Sequence, residues 1–337
     1  MDAPPRSALV SARSYDTESF SRWVDQTDSK IEVVPIEARL SPATAVTVRG
    51  YPIVCPFVHD DLGRDVVHAL ADGGTRMIAL RCAGFNSLDL DAARDCGLMV
   101  TRVPAYSPAS VAEHTVGLML SLNRHLHRAF NRVREGNFEL TGLLGFEMRG
   151  RTVGIIGTGR IGIAVARILA GFGMNVLGYD VYENPDAEAI GMTYLPLDEL
   201  LRRSDIVTLH CPLTPDTYHL MNVENLALCK PGAMIINTGR GQLVDAAALV
   251  EALKSGEIGA LGMDVYEQEE SLFFRDRSNE VLQDDVFSRL LTFPNVMVTG
   301  HQAFFTRESL DEIARITFDS MHRFIDGDPI PEDRRVV

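Results

Sequence analysis

No apolar run in this chain of 337 residues approaches the roughly 18 that a helix needs to cross a bilayer. The opening Met1-Asp-Ala-Pro-Pro-Arg-Ser7 has no apolar core of a signal segment. A cytoplasmic protein with no membrane partner is expected. Cysteine is sparse: Cys55, Cys82, Cys96, Cys211 and Cys229 are odd in number and scattered without C-x-x-C spacing. That pattern argues against a disulfide frame or a zinc site, so free thiols and no metal are expected. The 32 basic residues are outnumbered by 46 acidic ones, giving a net charge of −14, and they form no run. Such a surface does not favour nucleic acid. Internal repeats and low-complexity segments are also lacking.

Hydrophobic residues make up 46% and charged residues 23% of the chain, a globular balance at a length sufficient for two cores. Short apolar runs alternate with helical patterns. Ala8–Ser11, Ile31–Val34, Tyr51–Val58 and Thr75–Arg81 read as strands in the first third, with helices over Glu18–Gln26 and Asp61–Ala71. Val153–Ile156, Met174–Asp180, Ser204–Cys211, Ala233–Asn237, Leu261–Val265 and Asn295–Gly300 read as strands of a second, longer series. Strand and helix in alternation imply parallel sheets, so the fold class is α/β.

The second series opens on Gly157, Gly159 and Gly162 at G-x-G-x-x-G spacing, between a strand and a helix. Gly157 permits the tight turn, Gly159 lets the backbone approach a pyrophosphate, and Gly162 lets helix and strand lie close. The phosphates then meet the helix N-terminus, where unpaired N–H groups favour an anion. Asp180 ends the following strand, in reach of the adenosine ribose. A carboxylate there accepts from the 2′-hydroxyl and repels a 2′-phosphate, and Val181 and Tyr182 supply no arginine. The cofactor expected is NAD.

Ligands of such sheets bind past the C-terminal strand ends. Three residues there suit hydride transfer to a 2-oxo acid, a small-molecule substrate. Arg240, in Asn237-Thr-Gly-Arg-Gly241, has the planar fork that grips a carboxylate, with glycines on both sides to let a substrate approach. His301, after Val298-Thr-Gly300, can donate a proton near neutral pH. Glu269 follows a third strand, and a carboxylate beside a histidine favours the imidazolium.

Ser107 and Pro108 open a helical pattern running to about Glu135, crowded with apolar residues from Val111 to Phe130. So apolar a helix needs cover on more than one face, from a subunit interface, an interdomain brace or a deep core, and a homo-oligomer, dimer or tetramer, is expected. Glu267–Leu291 reads as an acidic surface insert with aromatic spots at Phe273, Phe274 and Phe287. A last helix over Glu308–Ile325 returns to the first domain by the order of elements, leaving that domain discontinuous.

Asn237–Asp245, Gly262–Glu269 and Gly300–Phe304 resemble the three signature segments of the D-isomer-specific 2-hydroxyacid dehydrogenases. Arg81–Asn86, Arg102–Pro108 and the insert Leu272–Phe287 resemble the fermentative bacterial D-lactate dehydrogenases within that family. The resemblance runs over nearly the whole chain, weakest in the first 50 residues. It implies two doubly wound parallel-sheet domains. One is a flavodoxin-like substrate domain of residues 1–104 and 302–337, and the other a Rossmann NAD-binding domain of residues 105–301. It further implies that Arg240 binds and polarises the substrate, that His301 donates the proton and that Glu269 bonds His301. Ala83, Gly84 and Tyr106 would meet the substrate carboxylate, with Phe304 near the pocket wall. Arg160, Ile161, Asp180, Cys211, Pro212, Thr217, Thr238, Gly239 and Asp264 would join the three glycines around NAD. Pyruvate reduction to D-lactate is the implied reaction, with hydroxypyruvate or phenylpyruvate as rival substrates. C-terminal-binding-protein corepressors share the fold and the three site residues, so a non-catalytic NAD sensor is the rival from another class. Against it stand the insert and the lack of a disordered interaction tail. Formate dehydrogenases carry glutamine where Glu269 stands.

Overall fold

The computed structural model describes residues 4–27 and 29–337. The chain divides into two compact units, Met1–Ser107 with Phe305–Val337, and Pro108–Phe304. These borders lie a few residues past those expected at 104 and 301.

In the first unit, strands β1 (Arg6–Val10), β2 (Glu32–Ile36), β3 (Ile53–Cys55), β4 (Met77–Ala79) and β5 (Met99–Thr101) form a sheet in the order β2-β1-β3-β4-β5. All its pairings are parallel, and the order is that of flavodoxin-like folds. Buried Leu9, Ile53, Met77 and Ala79 on one face pack with Phe20 and with Ala314, Phe318 and Met321 of the helix Arg307–Asp326. That helix therefore covers the sheet of the N-terminal segment. β5 and the helix Leu90–Asp95 are not legible in the sequence, because elements of three and six residues are too short to present a period.

In the second unit, β6 (Thr152–Ile156), β7 (Asn175–Tyr179), β8 (Thr193–Tyr194), β9 (Ile206–Leu209), β10 (Ala233–Asn237), β11 (Ile258–Met263) and β12 (Val296–Val298) form a parallel sheet. Its order is β12-β11-β10-β9-β6-β7-β8, the doubly wound arrangement that reverses beside β6. The last residues of six of its strands, all but β8, are in register across the sheet. Tyr179 is opposite Ile156, Ile156 opposite Leu209, Leu209 opposite Asn237, Asn237 opposite Met263, and Met263 opposite Val298. Every loop that follows thus leaves from one straight row.

Two expectations need correction. The helix from Pro108 stops at Asn123, His125 takes a left-handed backbone (φ 50°), and a second helix runs Leu126–Arg134. The apolarity of the first helix is consumed inside its own unit, where Ala112, Val116, Leu118, Met119 and Leu122 pack with Val153, Ile155, Ile163 and Ile236. The exposed apolar residues lie on the second helix instead. The insert is likewise more than a surface loop. Phe287 and Leu290 are buried, Leu272 and Phe273 pack beside them, and the Tyr266 hydroxyl donates to Asp284 Oδ2 at 2.8 Å.

Candidate active site

The glycine turn has the geometry its spacing implies, with one difference of cause. Gly157 has a φ of 93°, and a Cβ there would fall 2.2 Å from the backbone nitrogen of Cys211, so both conformation and contact demand glycine. A Cβ on Gly162 would fall 2.0 Å from the Gly157 carbonyl oxygen. A Cβ on Gly159 would meet nothing within 4 Å. This glycine therefore answers no demand of the fold itself, and the space beside it is open. The helix Arg160–Gly171 starts there, with the first-turn N–H groups of Arg160 and Ile161 lacking helical acceptors as at any helix start.

Asp180 follows β7 and accepts the Thr158 N–H at 2.6 Å. Thr158 is buried and held in turn by Asn184, which donates to its carbonyl at 2.8 Å, and by the Tyr194 hydroxyl at 2.8 Å. The acid and the glycine turn are thereby one rigid piece, although Thr158, Asn184 and Tyr194 carried no sequence signal.

After β9 come Cys211 and Pro212. Burial is the main cause that pushes the Cys211 thiol up to about 11, so at neutral pH it is an uncharged wall group and no nucleophile. Thr217 spends its hydroxyl on its own loop, donating to the Pro212 carbonyl at 2.7 Å and accepting the Thr214 N–H at 2.7 Å. Thr238 is buried and shares a hydrogen bond of 2.9 Å with Thr115.

Arg240 is partly buried and donates to the Gly239 carbonyl at 2.8 Å. Asn237 braces its loop from both sides, donating to the Arg240 carbonyl and accepting from the Gly239 N–H. The reason expected for Gly241, room for a substrate, is corrected. A Cβ there would fall 2.1 Å from the carbonyl carbon of Tyr266, so this glycine lets the loop after β10 lie on the loop after β11.

His301 Nδ1 and Glu269 Oε1 are 2.9 Å apart, both side chains partly buried. His301 has a left-handed backbone (φ 54°), unusual for a non-glycine residue, and its N–H donates to the Asp264 carbonyl at 2.7 Å. The Asp264 side chain does the rest. It is fully buried, and it accepts from the Thr299 hydroxyl at 2.5 Å and from the N–H groups of Gln302 and Ala303 at 2.8 Å each. His114 Nε2 lies 3.5 Å from the same carboxylate and 3.1 Å from Thr299 Oγ1. Burial pushes the Asp264 carboxyl up, but the hydrogen bonds from His114, Thr299, Gln302 and Ala303 outweigh it and hold the group below the usual range. Asp264 therefore has a structural task besides the cofactor contact expected of it. With both oxygens engaged and no exposed surface, it anchors the loop that carries His301.

In the first unit, Ala83 and Gly84 follow β4 and Tyr106 follows β5. Arg81 is buried, and its guanidinium donates to the carbonyls of Val10, Cys55 and Ser11 and pairs with Asp16 at 3.3 Å. The ends of β1, β3 and β4 are pinned together by that group, and Arg102 adds a hydrogen bond of 3.4 Å to the Ala83 carbonyl.

Residues 116–303 match the family model for the D-isomer specific 2-hydroxyacid dehydrogenase, NAD binding domain. The chain belongs to the D-isomer specific 2-hydroxyacid dehydrogenases. It is 52% identical over 322 residues to a 2-hydroxyacid dehydrogenase homolog of Haemophilus influenzae, covering 95% of this chain and 96% of that one. To the D-lactate dehydrogenase of Escherichia coli it is 48% identical, with 97% and 98% covered. A solved structure described as the pyruvate reductase of Chlamydomonas reinhardtii superposes with a TM-score of 0.93 at 45% identity, covering 98% of this chain and 99% of that one. The enzyme is an NAD-dependent dehydrogenase of 2-hydroxy acids, and residues 116–303 are its NAD-binding part.

Two substitutions test the readings of the glycine turn. Gly157→Ala should destabilise the protein by about 2–4 kcal/mol, as overpacking against backbone does, seen as a lowered melting temperature. Gly159→Ala should melt like the unaltered enzyme but bind NADH at least tenfold more weakly; unchanged NADH affinity would sink the pyrophosphate reading. Asp264→Asn should cost about 1.5–3 kcal/mol at pH 7. Because the folded carboxyl is held low, its contribution is present above the unfolded value of about 3.9 and is lost as pH falls through the folded one. The gap between the two proteins in urea unfolding should therefore close in acid.

Proposed function

We propose that the enzyme is a D-lactate dehydrogenase that converts pyruvate, NADH and a proton into D-lactate and NAD. The single observation that carries this is the His301–Glu269 pair, on a loop anchored by Asp264, leaving the same row of strand ends as the Arg240 loop. A ketone is reduced when a hydride reaches its carbon and a proton its oxygen, and bound NADH supplies the hydride.

The chain supplies the remainder. Arg240 grips the substrate carboxylate and draws charge toward the ketone oxygen. With Nδ1 engaged by Glu269, His301 presents Nε2 as the proton donor. Glu269 orients the ring that gives up the proton. Ala83, Gly84 and Tyr106 receive the carboxylate, Phe304 walls the pocket, and Asp180 receives the ribose of NAD. Relatives named D-lactate dehydrogenase support pyruvate as the substrate.

We also propose a homo-oligomer. Leu126, Phe130 and Val133 form an i, i+4, i+7 stripe on the helix after His125, each more than half exposed, and Phe138, Leu140 and Leu144 continue it in the following loop. Six large apolar groups in succession are more than a single soluble chain leaves bare without a partner.

The deciding assay follows NADH oxidation with pyruvate, hydroxypyruvate and phenylpyruvate in parallel, with chiral analysis of the product. Pyruvate should be preferred and D-lactate the sole enantiomer. Arg240→Ala and His301→Ala should each lower kcat/KM at least 10²-fold while NADH still binds, and Glu269→Gln should lower kcat more than it raises KM. NADH binding without turnover of any 2-oxo acid would move the protein to the sensor class. Light scattering should give a multiple of the chain mass, and Leu126→Asp with Phe130→Asp should reduce it; a monomeric unaltered protein would refute the assembly.

A further inference from the structure

Phe274 is the one aromatic residue of the insert that neither the core nor the reaction has absorbed. Its ring lies 5.8 Å from the imidazole of His301, tilted by 45°, and the Phe304 ring stands edge-on to the same imidazole at 6.4 Å. The chain is built to put it there. Glu269 opens a one-turn helix, and the Phe273 N–H donates back to the Glu269 carbonyl at 2.8 Å. The Phe273 ring then packs edge-on to Phe287 at 5.9 Å, and Phe287 packs on Tyr266, which the hydrogen bond to Asp284 holds in place. Phe273 is thus a peg, and the next residue is forced to turn. Phe274 makes that turn with a φ of 59°, a conformation in which glycine or asparagine is far easier. A bulky residue kept in a strained backbone is kept for its side chain.

A 2-oxo acid whose ketone oxygen accepts from His301 Nε2 sits about 2.8 Å from that atom. The substituent on its reacting carbon is two bonds from the oxygen, so a ring flanking the imidazole on its Nε2 side lies within reach of it. We propose that Phe274 is a specificity-determining residue, whose ring beside His301 restricts that substituent to about the size of a methyl group. This inference rests on the reading of the enzyme as a 2-oxo acid reductase, and it assigns to the insert the preference for pyruvate over larger acids.

The test measures kcat/KM with NADH for pyruvate, 2-oxobutyrate and phenylpyruvate in the unaltered enzyme, in Phe274→Gly, which removes the ring and relieves the turn, and in Phe274→Leu. The phenylpyruvate-to-pyruvate ratio should rise at least tenfold in the glycine variant and less in the leucine variant, chiefly through KM. Affinity for NADH, read by its fluorescence, should stay within twofold. A ratio within twofold of the unaltered enzyme in an active variant overturns the assignment. An equal loss on all three acids with NADH still bound also overturns it, making Phe274 a prop for His301. Should the glycine variant not fold, the leucine variant decides by the same ratio. Failure of the unaltered enzyme to reduce any of the acids overturns the functional reading itself, and this one with it.

Discussion

Asp264 leaves the end of β11 with its carboxylate fully buried, and the whole proton-donor side of the site hangs from it. Removing an ionised carboxylate from water costs several kcal/mol unless donors replace the solvent. Here Thr299, Gln302, Ala303 and His114 provide them, and three of these four belong to the stretch that carries His301. The bonds that make the buried charge tolerable are therefore the bonds that place the imidazole. They also sustain the left-handed backbone of His301, a conformation that costs of order 1–3 kcal/mol where nothing imposes it. Because β11 also leads into Glu269, the donor and its partner are referred to one strand end.

Register extends that control to the rest of the second unit. In a parallel sheet with strand ends aligned, the first residue past each strand faces the same side. Moving from β7 to β12 therefore passes from Asp180 to the glycine turn, then to the loops of Cys211, Arg240 and His301. The two acids at opposite ends of the row work in the same way. Asp180 binds the backbone of Thr158 as Asp264 binds that of Gln302 and Ala303, so each locks a loop against its strand. The difference is burial. Asp180 keeps some exposed surface, while Asp264 keeps none.

This explains which parts could be read from the sequence. Strand ends were legible because the residues after them change character abruptly, to glycine, proline or charge, and the glycine turn was legible because its spacing is local. The His301–Glu269 partnership came from family resemblance, since nothing local links positions 32 apart. The anchoring role of Asp264 is hidden in the sequence for a related reason. Its partners lie 35 to 39 positions away and are mostly backbone N–H groups, which leave no trace in residue type. The break at His125 is marked by neither glycine nor proline. The insert was taken for a surface loop because its acids are conspicuous, whereas its order comes from Tyr266 and Asp284 meeting across 18 positions.

The first unit solves the same problem with the opposite charge. Arg81 is as buried as Asp264 is, and it collects carbonyls where Asp264 collects N–H groups. Apolar packing could fill either place at lower desolvation cost, and replacing buried ion pairs by hydrocarbon is often neutral or stabilising. Hydrocarbon, however, does not discriminate between orientations of a peptide plane. A guanidinium at the ends of β1, β3 and β4 accepts only the arrangement in which the carbonyls of Val10, Cys55 and Ser11 turn inward. That leaves the Cys82–Phe85 turn one geometry in which to leave β4. Charge is buried at strand ends in both units because the residues that follow must present backbone and side chains in fixed directions, which core packing alone does not specify.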